Sequence, residues 1–250
     1  MKISRFKCLL LLAPMLIFAQ TGLAADVAPS FNWTGPYAGL HLGYGWGSGD
    51  TNFSSPNANF GDLAPTKFSP NPAGVVGGLQ AGYNYQVGRF VFGLEADFSG
   101  SGISGNKTSS PIFGQTGTPF PNTTLTAGES INWYGTLRPR MGYTVTPRTL
   151  VYGTGGLAFG NVSYSANTDY RAILGSTYPA SSSSTNVGWA VGGGIEYAVS
   201  KCWTVKAEYM HINLGDQSTV VTGIPATGFE VGYRWQATAD ILSLGVNYKF

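Results

Sequence analysis

Gly78-Leu79-Gln80-Ala81-Gly82-Tyr83-Asn84-Tyr85-Gln86-Val87-Gly88-Arg89-Phe90-Val91-Phe92-Gly93-Leu94-Glu95-Ala96-Asp97-Phe98-Ser99 reads as two strands and the turn between them. Side chains of a strand point alternately to its two faces. Leu79, Ala81, Tyr83, Tyr85 and Val87 therefore share one wall, and Gly78, Gln80, Gly82, Asn84 and Gln86 the other. After Gly88-Arg89 the pattern resumes, with Phe90, Phe92, Leu94, Ala96 and Phe98 set against Gly93, Glu95, Asp97 and Ser99. A two-residue link that begins with glycine between two such runs predicts an antiparallel hairpin. One wall of this hairpin is wholly apolar, and the other carries glycine, amides and carboxylates.

The same period of two extends in both directions. Ala38, Leu40, Leu42, Tyr44 and Trp46 oppose Gly39, His41, Gly43 and Gly45; Ile131, Trp133, Leu137, Met141 and Tyr143 oppose Asn132, Thr136, Arg138 and Arg140. Val187, Trp189, Val191, Ile195 and Tyr197 oppose Gly188, Gly192, Gly194 and Glu196, and Trp203, Val205, Ala207 and Tyr209 oppose Thr204, Lys206 and Glu208. The chain closes with Leu242, Leu244, Val246, Tyr248 and Phe250 against Ser243, Gly245, Asn247 and Lys249. A further strand lies in Leu150 to Gly160, where Gly153, Gly155 and Gly156 leave its facing open.

Eight strands result, and their connections alternate in length. The links at Gly88-Arg89, Thr144-Pro147 and Val199-Lys201 are short, whereas about 48–73, 100–130, 161–185 and 214–238 are rich in Gly, Ser, Thr, Asn and Pro and are expected to be long loops. An even number of antiparallel strands of roughly ten residues, with short turns at one end and long loops at the other, predicts an all-β fold: an eight-stranded up-and-down transmembrane β-barrel. Both termini are then expected on the short-turn, periplasmic side.

Composition narrows the alternatives. Gly and Pro occupy 50 of 250 positions, a fifth of the chain, which argues against a helix-rich enzyme; only 10% of residues are charged while 14% are aromatic, too few charges for an ordinary water-facing surface. Lys2, Arg5 and Lys7 precede an apolar run from Cys8 to Ala19, and Gly22-Leu23-Ala24-Ala25 offers small residues for cleavage, so residues 1–24 read as a secretory signal and 25–250 as the mature barrel. The run is too short to span a bilayer as a helix. Removing the three leader cations turns the formal net charge of +2 into −1, so no basic patch remains for nucleic acid. Cys202 is left alone, and an exported chain with one thiol closes no internal disulfide.

A soluble barrel shows the same alternation with its apolar side inward, so charge must decide the facing. Glu95, Asp97, Arg138, Arg140, Glu196, Lys206, Glu208 and Lys249 all lie on the polar parity, and none of the apolar sets above holds a charge. With the apolar walls against lipid, these groups pair inside the lumen. In the opposite register each mid-membrane Arg or Lys would cost about 2–4 kcal/mol. Trp33, Tyr44, Trp46, Trp133, Tyr143, Tyr197, Trp203, Tyr248 and Phe250 lie near strand ends, where aromatic girdles are expected. Pro139, on the lipid-facing parity, implies a bulge or a strand end.

The order of motifs resembles a known family. Phe31-Asn32-Trp33-Thr34-Gly35-Pro36-Tyr37-Ala38-Gly39, Gly43-Tyr44-Gly45-Trp46-Gly47, Gly77 to Tyr85, Phe92 to Phe98, Val151 to Ala158, Val205 to Tyr209 and Gly245 to Phe250 are similar, in order, to the strands of the Gram-negative outer-membrane immunogenic proteins, small barrels grouped with porin-family and opacity-like surface proteins. The resemblance covers nearly all of the mature chain. It implies residence in the outer membrane among its lipids, and a C-terminal assembly signal at Tyr248 and Phe250 that the barrel-assembly machinery reads. It also implies long loops that meet a host or environmental surface ligand.

For chemistry, structural ion pairs among Glu95, Asp97, Arg138, Arg140, Glu196, Lys206 and Glu208 are preferred to an acid/base pair of carboxylates. His41, on the lumen parity, and His211, near the outer rim, lack metal-ligand spacing, and no metal or cofactor is expected. There is no G-x-S-x-G elbow or H-E-x-x-H helix, and Gly153-Thr154-Gly155-Gly156 lacks the Lys of a phosphate loop. Asn32, Asn106, Asn122 and Asn161 begin N-x-Ser/Thr triplets that fit chance in so Asn- and Ser-rich a chain. The leading expectation is a structural, surface-displaying envelope barrel and not an enzyme. The alternatives are a narrow porin-like channel and, with less support, a receptor for haem-like ligands or a lipid-acting enzyme.

Overall fold

The structure is a computed structural model that describes residues 31–47, 50–54, 70–113, 118–169, 171, 175, 177–222 and 230–250. The leader and its cleavage site lie outside these residues, as do parts of the loops. Eight long strands form a closed antiparallel ring in chain order: β1 (Gly35–Gly47), β3 (Ala73–Val87), β4 (Phe90–Ser109), β7 (Thr124–Thr146), β8 (Thr149–Asp169), β9 (Thr177–Ala198), β10 (Trp203–Thr222) and β11 (Glu230–Lys249). Pairing of β1 with β11, from Tyr37 opposite Lys249 to Gly47 opposite Ala239, closes the ring. Closure removes every free sheet edge, which a bilayer requires because nothing in hydrocarbon can satisfy an open row of backbone amides. Three short strands decorate the outer end: β2 (Asp50–Ser54) extends the sheet beside β11, and β5 (Ile112–Phe113) pairs with β6 (Pro119–Phe120).

The hairpin that opened the sequence reading forms as expected. Its turn is Gly88-Arg89, with Gly88 at φ +61°, a backbone angle that a side chain would resist. The other periplasmic links are a turn at Pro147-Arg148 and the segment 199–202. Leu40, Leu42, Leu79, Phe92, Leu94, Met141, Val191, Ile195, Leu242 and Leu244 all point outward into an apolar belt. The strand left open is settled as well: Leu150, Tyr152 and Ala158 face the lumen, and Val151, Leu157 and Phe159 the belt.

Four expectations are corrected. First, three of the four regions expected as long loops, 100–130, 161–185 and 214–238, are largely strand, while most of the fourth, 48–73, lies outside the described residues. A 22-residue strand such as β9, tilted by about 40° at ~3.3 Å per residue, rises about 55 Å, roughly twice the ~25 Å of an apolar band. The barrel therefore continues outward as a second storey with reversed chemistry: Ile103, Ile112, Leu125, Ala127, Val162, Tyr164, Ala166 and Leu214 are buried inside it, and its outer face is polar. Second, Ile131 faces the lumen and Asn132 faces out, the reverse of the parity expected. The register against β8 slips between Ile131 and Trp133, and one extra residue turns every later side chain to the other face. Third, Pro139 sits inside β7 opposite Leu94 with no register shift; the shifts on β7 fall elsewhere. On its other side runs Gly155-Gly156, where a methyl on Gly156 would overlap the Leu137 carbonyl and lie 2.9 Å from Arg138 Cα. Glycine lets the two backbones close on the proline. Fourth, Trp33 is no girdle residue. It is 2% exposed and packs with Val91, Leu150, Tyr152 and Ala198 across the periplasmic mouth, with Phe31 edge-on against it at 4.8 Å. The Trp33 amide donates to Gln86 Oε1 at 2.9 Å, and Phe31 N to the Pro147 carbonyl at 3.0 Å, so backbone bonds hold the segment over the opening.

Candidate functional site

The polar parity of four strands converges in the lower storey. Glu95 and Asp97 come from β4, Arg138 and Arg140 from β7, Glu196 from β9, and Lys206 and Glu208 from β10; all seven are buried. Antiparallel register sets Glu95 directly opposite Arg138 and Glu196 opposite Lys206, so each of these two strand pairs sets a carboxylate against a cation. Arg138–Glu208, Arg140–Glu196 and Lys206–Glu95 join strands that are not neighbours and so reach across the lumen.

Arg138 is the hub. Its Nη2 donates to Glu95 Oε1 at 3.1 Å, Asp97 Oδ2 at 3.1 Å and Glu208 Oε1 at 3.0 Å, tying β4, β7 and β10 together. Arg140 reaches Glu196 Oε2 at 2.7 Å and Glu95 Oε2 at 3.4 Å, and Lys206 lies 3.0 Å from Glu95 and 3.6 Å from Glu208. Charge-assisted bonds of this kind are short and strong, and a low-dielectric interior strengthens them further, but only while every member has a partner.

Neutral groups extend the shell, leaving Asp97 Oδ1, Arg138 Nη1 and Arg140 Nε without a hydrogen-bond partner among the described residues. The Tyr37 hydroxyl donates to Glu95 Oε2 at 2.7 Å and accepts from Arg140 Nη1 at 3.0 Å, and the Tyr152 hydroxyl donates to Glu208 Oε2 at 2.7 Å. The Arg140 guanidinium lies 4.0 Å above the Tyr152 ring. Thr136 donates to Asp97 and accepts from Arg138 Nε at 2.8 Å. Asn247 Nδ2 donates to Glu196 Oε1 at 2.9 Å. The sequence reading missed Tyr37 and Tyr152. Tyr37 continues the Gly39 and His41 parity by one step, so extending that run would have found it. Tyr152 was hidden by the glycines that obscured its strand.

The two histidines sit on opposite faces of the wall. His41 is in the lumen, 2.8 Å from Ser99 Oγ, and His211 is outside, its Nδ1 2.8 Å from Asp240 Oδ1 and its ring 5.4 Å from that of Trp189. Asp240 continues the outward parity above Leu242, is half-buried, and also accepts from the Tyr209 hydroxyl at 2.7 Å. No group of three or more His, Cys, Asp or Glu that could hold a metal occurs among the described residues. At the other end Tyr248 and Phe250 lie at the periplasmic edge, rings 5.2 Å apart and edge-to-face, with Trp203 5.1 Å from Tyr248.

In the outer storey one buried carboxylate stands apart. Glu129 is 3% exposed, faces Tyr164 across the β7–β8 ladder, and neither of its oxygens accepts a hydrogen bond among the described residues. Burial pushes its carboxyl up to about 7.

An apolar belt outside, an ionic core inside and a wall with no edges define an integral outer-membrane β-barrel. The chain belongs to the outer membrane protein beta-barrel domain family, whose model matches residues 10–250. It is 35% identical over 257 residues to the 31 kDa outer-membrane immunogenic protein of Brucella melitensis, across 98% of this chain and 100% of that one. Against the 22 kDa outer membrane protein of Rhizobium leguminosarum it is 30% identical over 226 residues, covering 90% and 82% of the two chains. Among solved structures, the outer membrane protein OprG from Pseudomonas aeruginosa matches with a TM-score of 0.54 at 12% identity, over 89% of this chain and 99% of that one, a likeness of fold. The protein is thus a Gram-negative outer-membrane barrel, and the names of these relatives carry no catalytic activity.

Proposed function

We propose that the protein is a closed, non-catalytic barrel that anchors its outer storey and loops at the cell surface. Export by residues 1–24 and their removal would leave 25–250 as one domain. Tyr248 and Phe250 would serve the barrel-assembly machinery during insertion, and the loops would meet ligands outside the cell. The observation that carries this reading is Arg138, 1% exposed and bonded to carboxylates on both β4 and β10, so that its side chain bars the middle of the lumen. Trp33 covers the periplasmic mouth below it, and the apolar cluster around Ile103, Ile131 and Leu214 fills the storey above. An interior about eight strands wide is just large enough for side chains to fill. Placement of His41 and His211 on opposite faces argues against a single ligand or catalytic centre built from both.

Conductance tests this. The purified full chain, folded into planar bilayers, is expected to be electrically silent; reproducible unitary steps from the wild type would overturn the closed barrel and favour a narrow channel.

A further inference from the structure

The outer storey carries a face unlike the rest of the wall. Ser104, Ser130, Ser163 and Ser183 lie on one rung across β4, β7, β8 and β9. Asn132, Asn161 and Thr185 lie nearer the belt on β7, β8 and β9, beside the last belt rings Trp133 and Phe159. Among the described residues no charged side chain points outward here until the uppermost rung, where Asp169 pairs with Arg171 at 2.6 Å. Soluble surfaces carry roughly 25–35% charged residues. A wide exposed face of hydroxyls and amides alone needs another reason.

Its polar atoms are already held in place. Asn132 Nδ2 donates to Asn161 Oδ1 at 2.6 Å and to Ser163 Oγ at 2.9 Å, and Ser163 Oγ donates to Ser183 Oγ at 3.1 Å. Side chains fixed before binding lose little rotamer freedom on binding. Asn132, Asn161 and Ser163 spend their protons on one another and on Ser183 and Ser184, so outward they offer acceptor oxygens, while Ser183, which only accepts in these bonds, keeps a hydroxyl proton to give; a polyhydroxylated partner matches that mixture and an acyl chain does not. Position selects among such partners. The face is continuous with the lipid-facing belt and begins within two residues of it, at the height of the headgroups. In the outer leaflet of a Gram-negative outer membrane, those headgroups are the sugars of a glycolipid. Trp133, stacked on Phe98 at 5.5 Å, adds an aromatic edge where sugar and acyl regions meet.

We infer that the outward face of β7, β8 and β9 above the belt is a binding site for the hydroxyl groups of the core saccharide of outer-leaflet glycolipid. This goes beyond the closed-barrel reading, since a conducting barrel could carry the same face.

The full chain in phospholipid nanodiscs would be titrated with three probes: lipopolysaccharide bearing its core sugars, lipid A alone, and the free core oligosaccharide. Wild type should bind the core-bearing glycolipid at least tenfold more tightly than lipid A and than the free sugar. The triple variant Asn161→Ala/Ser163→Ala/Ser183→Ala should fall to the lipid A affinity, and Arg234→Ala, on β11, should keep the preference. Equal binding of core-bearing glycolipid and lipid A by wild type would overturn the site. So would a triple variant that keeps the preference, or free oligosaccharide binding as tightly as the glycolipid, which would point to a soluble polysaccharide. Dimerisation lost in the triple variant would give the face to a second copy instead. Should that variant not fold, Thr185→Glu, an exposed single change on the same face, carries the test with the same outcomes.

Discussion

Replacing Arg138 with Ala should be the most damaging single change in the lumen, and the structure says where the damage falls. The three carboxylates bonded to Arg138 differ in what they keep. Glu95 retains Lys206 at 3.0 Å, Arg140 at 3.4 Å and the Tyr37 hydroxyl; Glu208 retains Lys206 at 3.6 Å and Tyr152. Asp97 retains only the Thr136 hydroxyl, because its other oxygen has no hydrogen-bond partner. The loss therefore concentrates on one buried, uncompensated charge, which costs about 3–5 kcal/mol. Arg140→Ala should cost less, about 1.5–3 kcal/mol, since Glu95 keeps two cations and Glu196 keeps its bond from Asn247. Asp97→Asn in the Arg138→Ala background removes the stranded charge and should recover at least 1.5 kcal/mol relative to additivity. Urea unfolding in detergent, scored by the heat-modifiable folded band on gels, measures the wild type, the two arginine variants, Asp97→Asn alone and the double variant. Equal midpoints for Arg138→Ala and wild type, or a strictly additive double variant, would refute the assignment of Arg138 as hub.

Two further predictions concern the ends of the barrel. Glu129 holds its proton up to about pH 7 when folded against 4.5 when unfolded, so the folded state binds the extra proton; stability should fall as pH rises from 4.5 to 7, by up to about 3 kcal/mol. Glu129→Gln should flatten that slope in unfolding curves at pH 5 and 8, and an unchanged slope would show that the carboxyl is not the source. Trp33→Ala should cost about 3–5 kcal/mol by emptying the periplasmic mouth and should expose the segment before Gly35 to protease; wild-type stability and resistance together would mean that the plug is dispensable.

Much of this was legible in the sequence for a simple physical reason. A bilayer imposes one rule on every strand, apolar outward, and each of the seven lumen charges obeys it by sitting opposite the belt residues of its own strand. Glu95 between Leu94 and Ala96 is already a statement about which way it points. Where that rule stops, so did the reading. Above the belt the solvent is water, the favoured parity reverses, and Leu125, Ala127 and Val162 become interior residues among serines and threonines that look like loop. The slip at Asn132–Trp133 is where one rule hands over to the other, and a bulge of one residue leaves no mark in composition. Trp33 and Glu129 were misread or missed by the same logic, because neither lies in a segment that lipid disciplines.

The two-storey plan also explains why the charges are where they are. Inside the belt no water competes for hydrogen bonds from without, so a lumen filled by apolar side chains would leave a wall greasy on both faces, with nothing to fix which way each strand turns. Arg138, Arg140 and Lys206 among four carboxylates supply that choice: a one-residue slip of β7 would send both arginines into lipid, at about 2–4 kcal/mol each, and strand their partners. Above the belt the same choice is made by hydrophobic burial, as in any soluble barrel, and no ionic lock is needed. The network thus specifies register where the hydrophobic effect cannot. Buried ion pairs do this at some expense of stability, since well-packed apolar groups often stabilise as much or more. An apolar replacement of the Arg138 hub together with its carboxylates should accordingly leave the urea midpoint of the folded fraction near that of the wild type while lowering the yield of the heat-modifiable band through misregistered insertion, and a full yield of that band would show that the network does not set register.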